Sequence, residues 1–308
     1  MNVSIIIVNY NTKDVIRKCL DSIYEHTHDI DFEVIVSDNG STDGSIEMLK
    51  ADYPQVILIE NNANLGFGVA NNRGLDVAKG KYIFYLNSDT IILNNAVKMF
   101  FDYWEKSPEK DQIGALGGVL LNENLEMMHS GAPFHSYKSF CKIQMKQMIF
   151  HTIKSILLFF NLSFLYERHR KKVPSKIFVK TGDTDGYITG ADLFVLNNFY
   201  ARFDENFFMY CEETDLELRL KENGLKRIII DGPKIQHLHK TFLGDKNITS
   251  FSEICTQISS IYYAKKNFKK SALILRFIIW LDWLNPYVRK QAKKVYTVYY
   301  KNQSKIIN

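Results

Sequence analysis

The sequence predicts an α/β protein, with a mostly parallel sheet flanked by helices and a C-terminal helical extension. Two patterns in its 308 residues support this prediction. Short apolar runs alternate with helical segments over residues 3–106, which is the order of an open parallel sheet with right-handed crossovers. From residue 253 onward the pattern is helical and is interrupted near Pro286.

The first strand is predicted at Val3–Asn9, a continuous apolar run typical of a parallel strand buried on both faces. Asn11 or Thr12 can cap the helix that follows it to about residue 25. Further strands are predicted at 33–38, 56–60 and 82–86, with helices at 45–51, 68–78 and 94–106. Ligands bind such sheets at the carboxyl ends of the strands. We therefore expect the site at residues 9–11, 38–43, 61–66 and 87–89.

The alternation fails after Leu121. Residues 137–172 have the pattern of one or two amphipathic helices. Regular structure returns at 187–196, and a further strand is predicted at 227–230.

The net charge of +5 conceals two basic segments. Residues 137–180 carry +9 and residues 261–308 carry +10, which leaves −14 on the rest of the chain. No helix-turn-helix, zinc or single-strand-binding pattern accompanies this charge, so we expect no nucleic-acid partner. Two interpretations of the basic segments remain. Either they form helices that pack on the main domain and expose solvated lysines, or they form amphipathic segments that lie on an anionic membrane surface with Trp280 and Trp283 near the headgroups.

The four cysteines lie far apart without a C-x-x-C pair, which indicates reduced thiols. The first apolar run lacks the basic lead of a signal peptide, and no apolar run reaches the roughly 18 residues of a spanning helix. We expect a cytoplasmic protein, peripheral at the inner face of the cell membrane.

Polar residues follow the first two predicted strands. Asn9 and Asn11 end the first, and Asp38 ends the second within SDNGSTDGS. A carboxylate there can accept a hydrogen bond from a base N–H, whereas Thr42 and Asp43 have the pattern of turn and cap residues. A dinucleotide fold would carry G-x-G-x-x-G after the first strand; NYNTKD stands there instead, which argues against nicotinamide or flavin binding.

The stretch NNANLGFGVANNRG follows the third strand and is rich in amides, including Asn64 and Asn71. Backbone N–H groups near Gly66, together with Arg73, suit a phosphate. The alternative is a glycine-rich turn without a ligand.

Candidate metal ligands occur in two places. In LNSDT, Asp89 can ligate a hard cation and Asn87 is a weaker donor; a helix cap near Asn94 is the alternative. In KIQHLHK, His237 and His239 would point to one face of an extended segment, which suits contact with a metal or a phosphate.

The segment CEETDLELRLKENG contains a T-x-x-E capping box, Thr214 to Glu217, which predicts a helix from Asp215 closed by Gly224.

Capping leaves the adjacent Glu212 and Glu213 unexplained. Two acids beside the apolar run NFFMY can have one raised pKa, as a general base needs. A solvated acidic helix start is the alternative.

Together, these segments resemble family 2 glycosyltransferases with the GT-A fold, the Rossmann-like fold of nucleotide-diphospho-sugar transferases, and in particular bacterial rhamnosyltransferase-like members. The resemblance extends from Val3 to about Thr241 and rests on SIIIVNYNT, VSDNGSTDGS, NANLGFGVANNRG, LNSDT, TGADLFV and FFMYCEETDLELRLKENG.

The resemblance implies roles for individual residues. Asp89 would bind Mg²⁺ or Mn²⁺ with His237, and Asp192 would contact the acceptor. Asp38 would contact the nucleotide base, and the 64–71 turn would hold ribose and diphosphate. The implied donor-binding residues are Asn9, Asn11, Asp38, Asn64, Gly66, Asn71, Arg73, Asn87 and Ser88. Some members carry Asp where Asn87 stands.

Glu213 falls where the family usually has the Asp of a Glu-Asp pair, the catalytic base; Glu212 and Asp215 remain alternatives. The implied reaction is an inverting hexosyl or rhamnosyl transfer from a nucleotide-diphosphate donor to a hydroxyl of a glycan or lipid-linked acceptor, in cell-envelope or surface polysaccharide synthesis. A nucleotidyltransferase and a catalytically inactive, membrane-associated assembly partner are the alternatives.

We expect a GT-A catalytic domain at 1–245, with a basic amphipathic insertion at 137–180, and a basic, aromatic-rich helical extension at 246–308.

Overall fold

The structure is a computed structural model that describes residues 1–160, 181–238, 251–268 and 272–306. The described helices are Lys13–His26 (α1), Ser45–Asp52 (α2), Phe67–Val77 (α3), Ala96–Lys106 (α4), Tyr137–Phe159 (α5), Glu212–Glu222 (α6), Phe251–Phe268 (α7), Leu273–Trp283 (α8) and Pro286–Ile306 (α9). The described strands are Val3–Asn9 (β1), Phe32–Asp38 (β2), Ile57–Glu60 (β3), Tyr82–Leu86 (β4), Thr90–Ile92 (β5), Ile113–Leu121 (β6), Gly131–Ala132 (β7), Gly182–Asp183 (β8), Tyr187–Ile188 (β9), Asp192–Leu196 (β10) and Lys226–His237 (β11).

These elements form two compact units. Within the described residues, the first unit comprises 1–134, 181–205 and 212–238, and the second comprises 135–160, 206–211, 251–268 and 272–306. The predicted boundaries at 180 and 245 fall outside the described residues, so the predicted domain limits stay a prediction.

The first unit is built on one large sheet with the strand order β3-β2-β1-β4-β10-β6-β11-β5, and β8 also pairs with β11. Four neighbouring pairs are parallel: β2 with β3, β1 with β2, β1 with β4, and β6 with β11. Strand β10 is antiparallel to both of its neighbours. The predicted mostly parallel sheet flanked by helices is confirmed.

Alternate residues of β1 pack into two different cores. Ile5 and Ile7 belong to the cluster that includes Leu20 of α1, whereas Ile6 belongs to the cluster that includes Leu216 of α6. Both faces of the strand are therefore buried, which explains its continuous apolar run.

Strands β5 and β6 were not among the predicted elements. The sequence of β6, IGALGGVLL, is rich in glycine, which weakens a strand pattern. Gly117 is required by close packing, because a Cβ there would lie 2.3 Å from Cγ2 of Ile188. The predicted regular segment 187–196 is divided into β9 and β10, and the strand predicted at 227–230 extends to His237.

The predicted capping box is wrong. Helix α6 begins at Glu212, not at Asp215. Glu217 is fully buried and accepts a hydrogen bond from the N–H of Ile188, so it does not turn back to cap the helix. The predicted end of the helix is confirmed: Gly224 has φ +74° and the N–H of Leu225 donates to the carbonyl of Leu220.

The second unit contains α5, α7, α8 and α9. Its core includes Phe208, Ile254, Val288 and Val295. The break predicted near Pro286 is confirmed, because α8 ends at Trp283 and α9 starts at Pro286. None of the helices described in this structure has the length and apolar character needed to cross a bilayer.

Candidate active site

The ends of β1 and β2 are joined by their side chains. Asn9 Nδ2 donates to Asp38 Oδ2 at 2.7 Å, and Asp38 Oδ1 accepts from the N–H groups of Gly40 and Ser41 at 2.9 and 2.8 Å. The Asp38 side chain is fully buried; its Oδ1 holds the following turn in place and its Oδ2 joins β2 to β1. Its implied contact with a nucleotide base stays a prediction.

Asn11 and Ser88 are brought to the same edge of the sheet. Asn11 has φ +54° and its Oδ1 accepts from the N–H of Thr42 at 2.8 Å. Thr12 Oγ1 donates to Asn9 Oδ1 at 2.6 Å and lies 3.4 Å from Ser88 Oγ. The polar residues after β1, β2 and β4 thus form one connected group, as expected for the carboxyl ends of neighbouring parallel strands.

The turn before α3 is shaped by amides. Asn39 Nδ2 donates to the carbonyl of Gly66 at 3.0 Å, and the N–H of Gly66 donates to Asn64 Oδ1 at 3.0 Å. Gly66 has φ +89°, a conformation that side chains disfavour.

Two other residues predicted to hold the donor differ in exposure. Asn71 is buried and its Nδ2 donates to the carbonyl of Phe67 at 3.1 Å, which ties it to the first turn of α3. Arg73 is exposed.

Asp89 and His237 meet across two antiparallel strands. Thr90 of β5 pairs with His237 of β11, and the N–H of Leu238 donates to the carbonyl of Asp89 at 2.8 Å. This pairing brings His237 Nε2 to 3.1 Å from Asp89 Oδ1. Both side chains are partly exposed, so both can reach a ligand.

The Asp89–His237 pair fits a divalent cation that takes the rest of its ligands from elsewhere. The two donor atoms are close enough to share an ion, and carboxylate oxygen and imidazole nitrogen are both metal ligands. Across the described residues, no group of three or more His, Cys, Asp and Glu side chains surrounds a possible ion. A cation here would therefore need oxygens from phosphate and water, as Mg²⁺ commonly uses. His239 lies outside the described residues.

Of the three candidate bases, Glu213 is the accessible one. Glu212 and Asp215 are buried, with 3% and 0% of their surface exposed, whereas Glu213 is partly exposed. Asp215 lies 3.4 Å from Nε of Arg219. Burial of the carboxyl raises the pKa of Glu213, against the opposing effect of hydrogen bonds from nearby N–H and hydroxyl groups.

The backbone just before α6 is unusual. Tyr210 and Cys211 both have φ +69°, the left-handed region that residues other than glycine rarely adopt. Consecutive residues of this kind cost conformational energy and are concentrated at functional sites.

Glu213 is linked to the LNSDT turn through the TGAD segment. A Cβ on Gly190 would lie 3.3 Å from both Cβ and Cγ of Glu213, so the glutamate packs directly on this glycine. The next residue, Ala191, accepts a hydrogen bond from the N–H of Asn87 at 3.0 Å. The candidate base and the turn that carries Asp89 therefore contact two adjacent residues, Gly190 and Ala191.

Asp192 lies beneath this surface. It is fully buried, its Oδ2 accepts from the N–H of Gly118 at 2.6 Å, and its Oδ1 has no hydrogen-bond partner. Burial raises its pKa well above the ordinary value. The implied contact of Asp192 with an acceptor hydroxyl stays a prediction.

Two features of this site were not predicted from the sequence. Gly190 was not recognised as the support of Glu213, although the TGAD pattern contains it. Glu217 was assigned to a cap, yet burial raises its pKa well above the ordinary value, with further contributions from the charges of Glu213 and Asp192. No local pattern distinguishes a buried helical glutamate from an N-terminal cap residue.

Comparison with known proteins gives consistent matches. The model of Glycosyl transferase family 2 matches residues 4–170. The poly(ribitol-phosphate) beta-glucosyltransferase of Bacillus spizizenii is 35% identical over 124 residues, which cover 39% of this chain and 20% of that protein. The UDP-Glc:alpha-D-GlcNAc-diphosphoundecaprenol beta-1,3-glucosyltransferase of Escherichia coli is 37% identical over 120 residues, which cover 35% of this chain and 47% of that protein. The matches thus span less than half the length of either relative.

A solved structure matches over nearly all of the chain. The mannosyltransferase PcManGT from Pyrobaculum calidifontis, in complex with GDP-Man and Mn²⁺, aligns with 96% of this chain and 73% of its own, at a TM-score of 0.52 and 15% identity. This likeness confirms the predicted GT-A fold.

Proposed function

Because the chain belongs to glycosyl transferase family 2, we propose that it moves a hexose or rhamnose from a nucleotide-diphosphate donor to a hydroxyl of a glycan or lipid-linked acceptor, with inversion at the anomeric carbon. The reaction would serve surface polysaccharide synthesis. The E. coli relative is named for a diphosphoundecaprenol acceptor. A lipid-linked acceptor would suit a protein that is peripheral at the inner face of the cell membrane.

The observation that carries this proposal is the position of Glu213 on Gly190, next to the hydrogen bond between Ala191 and Asn87. Sugar transfer needs a base for the acceptor hydroxyl and a cation for the departing diphosphate. The two groups must lie close together, because the hydroxyl and the diphosphate are on opposite sides of one carbon atom.

Glu213 would act as the general base. Its carboxylate would take the proton of the acceptor hydroxyl while the hydroxyl oxygen forms a bond to the anomeric carbon. The bond from that carbon to the diphosphate oxygen breaks on the other side and leaves its electron pair on the nucleoside diphosphate. Attack from the face opposite the leaving group inverts the configuration.

Partial exposure favours Glu213 over its two neighbours for this role. A base must touch the acceptor, and Glu212 and Asp215 are both buried. Asp215 is also occupied by a contact with the Arg219 guanidinium, at 3.4 Å from its Nε.

The donor would be held by the polar edge of the sheet. The amide-rich turn at Asn64 and Gly66 presents backbone near the start of α3, where N–H groups suit a diphosphate, and the exposed Arg73 adds a positive charge. Asp89 and His237 would hold Mg²⁺ or Mn²⁺. When bound, the cation would neutralise negative charge on the diphosphate oxygens.

The test is a transfer assay with the purified chain, Mn²⁺ and a panel of nucleotide sugars labelled in the sugar. The proposal predicts release of nucleoside diphosphate and movement of the label, without the nucleotide, to a membrane-extracted acceptor. Transfer of the nucleotide to the product would indicate a nucleotidyltransferase. If a correctly folded protein shows no turnover with any donor of the panel, the protein is a catalytically inactive assembly partner.

A further inference from the structure

Two helices of the second unit expose apolar side chains in regular stripes. On α5 the stripe consists of Met145, Ile149, Ile153 and Ile156, and it continues to Phe160. These positions recur every three or four residues and therefore lie on one side of the helix. Ile153 and Ile156 are 53% and 52% exposed, values far from those of a packed core.

Helix α8 is similar. Its outer stripe consists of Leu273, Phe277, Trp280 and Leu284, each more than half exposed. The opposite side, with Leu275, Ile278, Ile279 and Asp282, is buried. Helix α8 is therefore apolar on the side that packs and on the side that faces outward, although a helix at a protein–water boundary normally turns a polar side outward.

The two helices are held together by one buried polar contact and by partly buried hydrogen bonds. His151 Nδ1 of α5 lies 2.9 Å from Asp282 Oδ2 of α8, and Tyr137 and Ser155 make further hydrogen bonds to Leu275 and Asn285. His151 and Asp282 lie on the sides of their helices opposite the exposed stripes. The contacts fix the orientation of both helices and keep the stripes exposed.

The exposed charges on α5, α8 and α9 are of one sign, and Glu253 of α7 is a partly exposed acid near His151. Helices α5 and α9 contain no Asp or Glu, and the one acid of α8, Asp282, is buried. The exposed Lys and Arg side chains described on these helices are Lys138, Lys142, Lys146, Arg276, Arg289, Lys290, Lys293 and Lys294. Lys142 and Lys146 lie seven and three residues before Ile149 and therefore on the same side of α5 as the stripe.

We propose that the exposed stripes of α5 and α8 form a docking surface for the interface of an anionic lipid bilayer. Apolar side chains, a tryptophan and surrounding cations are the features of a helix that lies in the plane of such an interface. Neither helix is suited to cross the bilayer. A second copy of the chain is a poorer occupant, because pairing the stripes of two copies would bring cations against cations without an exposed carboxylate on these helices to offset them.

This surface does not depend on the transferase reaction. The test therefore uses the full chain without donor or acceptor, and vesicles of phosphatidylcholine with or without about one-third phosphatidylglycerol. The protein is expected to sediment with the anionic vesicles, to bind phosphatidylcholine alone more weakly, and to be partly released by high salt, because cation–lipid attraction is screened.

A matched pair of variants isolates the stripes. The double variant Ile153→Ser and Phe277→Ser removes one exposed apolar side chain from each helix, and is expected to weaken vesicle binding by about tenfold or more. The control, Met127→Ser and Phe199→Ser, removes side chains of the first unit that are equally or more exposed, at 57% and 82%. The control is expected to bind as the wild type does. Equal loss in both double variants would overturn the proposal.

Trp280 gives an independent readout of insertion. Lipids brominated on the acyl chain should quench tryptophan emission of the wild type, and Trp280→Phe should remove most of this quenching. Three results would overturn the proposal: no sedimentation with anionic vesicles, sedimentation without quenching, or a stable dimer that the Ile153→Ser and Phe277→Ser double variant converts to a monomer while vesicles remain unbound.

Discussion

Glu213 rests on Gly190, with its Cβ and Cγ each 3.3 Å from the point where a side chain on that glycine would begin. Gly190, which belongs to a different part of the chain, thus fixes the position of the candidate base Glu213. Glu213 is partly exposed as a residue, and burial of its carboxyl raises the pKa.

The first prediction concerns this contact. Gly190→Ala adds a methyl group that Glu213 must avoid by a few tenths of an ångström. Misplacement of a catalytic group by about 1 Å can cost about 10²-fold in rate, so we expect a fall in kcat of about tenfold, with little change in donor KM. Steady-state kinetics measure this, and circular dichroism verifies the fold. Unchanged kcat in a folded variant would show that the contact has no part in catalysis.

The second prediction concerns Asp89 and His237. Either Asp89→Asn or His237→Ala should raise the Mn²⁺ concentration needed for half-maximal stabilisation by a nucleoside diphosphate by about tenfold or more. A thermal-shift titration with UDP or GDP measures it directly. Asp231→Asn, an exposed acid on the same strand as His237, is the matched control and should behave as the wild type. If all three variants keep the wild-type Mn²⁺ dependence, the cation site lies elsewhere.

The third prediction is a pH profile. Burial raises the pKa of Glu213 above its usual 4.5, and a general base works only when deprotonated. As the pH falls through this raised pKa the base becomes protonated, so kcat/KM should decline at a pH clearly above 4.5. The rate is measured from pH 4 to 8 under conditions where the protein stays folded. A profile that stays flat down to pH 4.5 would refute the raised pKa.

The fourth prediction concerns the His151–Asp282 pair of the second unit. Burial of the His151 ring opposes its protonation, but the hydrogen bond to Asp282 and the nearby carboxylate of Glu253 outweigh this and raise its pKa to about 9. Because the pKa in the folded protein exceeds the ordinary 6.5, the pair contributes its full stability below about pH 6.5 and loses it as the pH rises through about 9.

Asp282→Asn should therefore lower the free energy of unfolding by about 3 to 5 kcal/mol at pH 6, because it leaves a buried cation without its partner. The loss should shrink as the pH approaches 9. Glu253→Gln is the control: its carboxylate is 3.8 Å from the ring and about a third exposed, so the change should cost about 1 kcal/mol or less. Chemical denaturation at pH 6 and pH 9 measures both variants, and equal losses for Asp282→Asn at the two pH values would contradict the account.

The sequence was sufficient to predict elements that depend on local patterns. The apolar run of β1, the left-handed Gly224 and the break at Pro286 are each determined by residues within one or two turns of chain. The polar residues at the strand ends could also be placed on one edge, because parallel strands end together.

Features set by long-range packing could not be predicted. In strand β6, Gly117 is required because Ile188 approaches it, a contact between residues 71 positions apart in the chain. The T-x-x-E pattern of Thr214 and Glu217 fits a cap, but the interior needs the Glu217 carboxylate to accept the N–H of Ile188. In both cases the partner is Ile188, which lies too far along the chain for the local sequence to reveal the contact.

The most direct test of the account is the comparison of Glu213→Gln with Glu212→Gln. Both substitutions keep the size of the side chain and remove one negative charge at adjacent positions of the same helix start. Glu213→Gln should lower kcat by about 10²-fold or more while nucleoside-diphosphate affinity stays within about twofold, because a base acts on the acceptor and not on the donor. Glu212→Gln should lose clearly less activity. Wild-type kcat in a folded Glu213→Gln variant would contradict the central claim that Glu213 is the base.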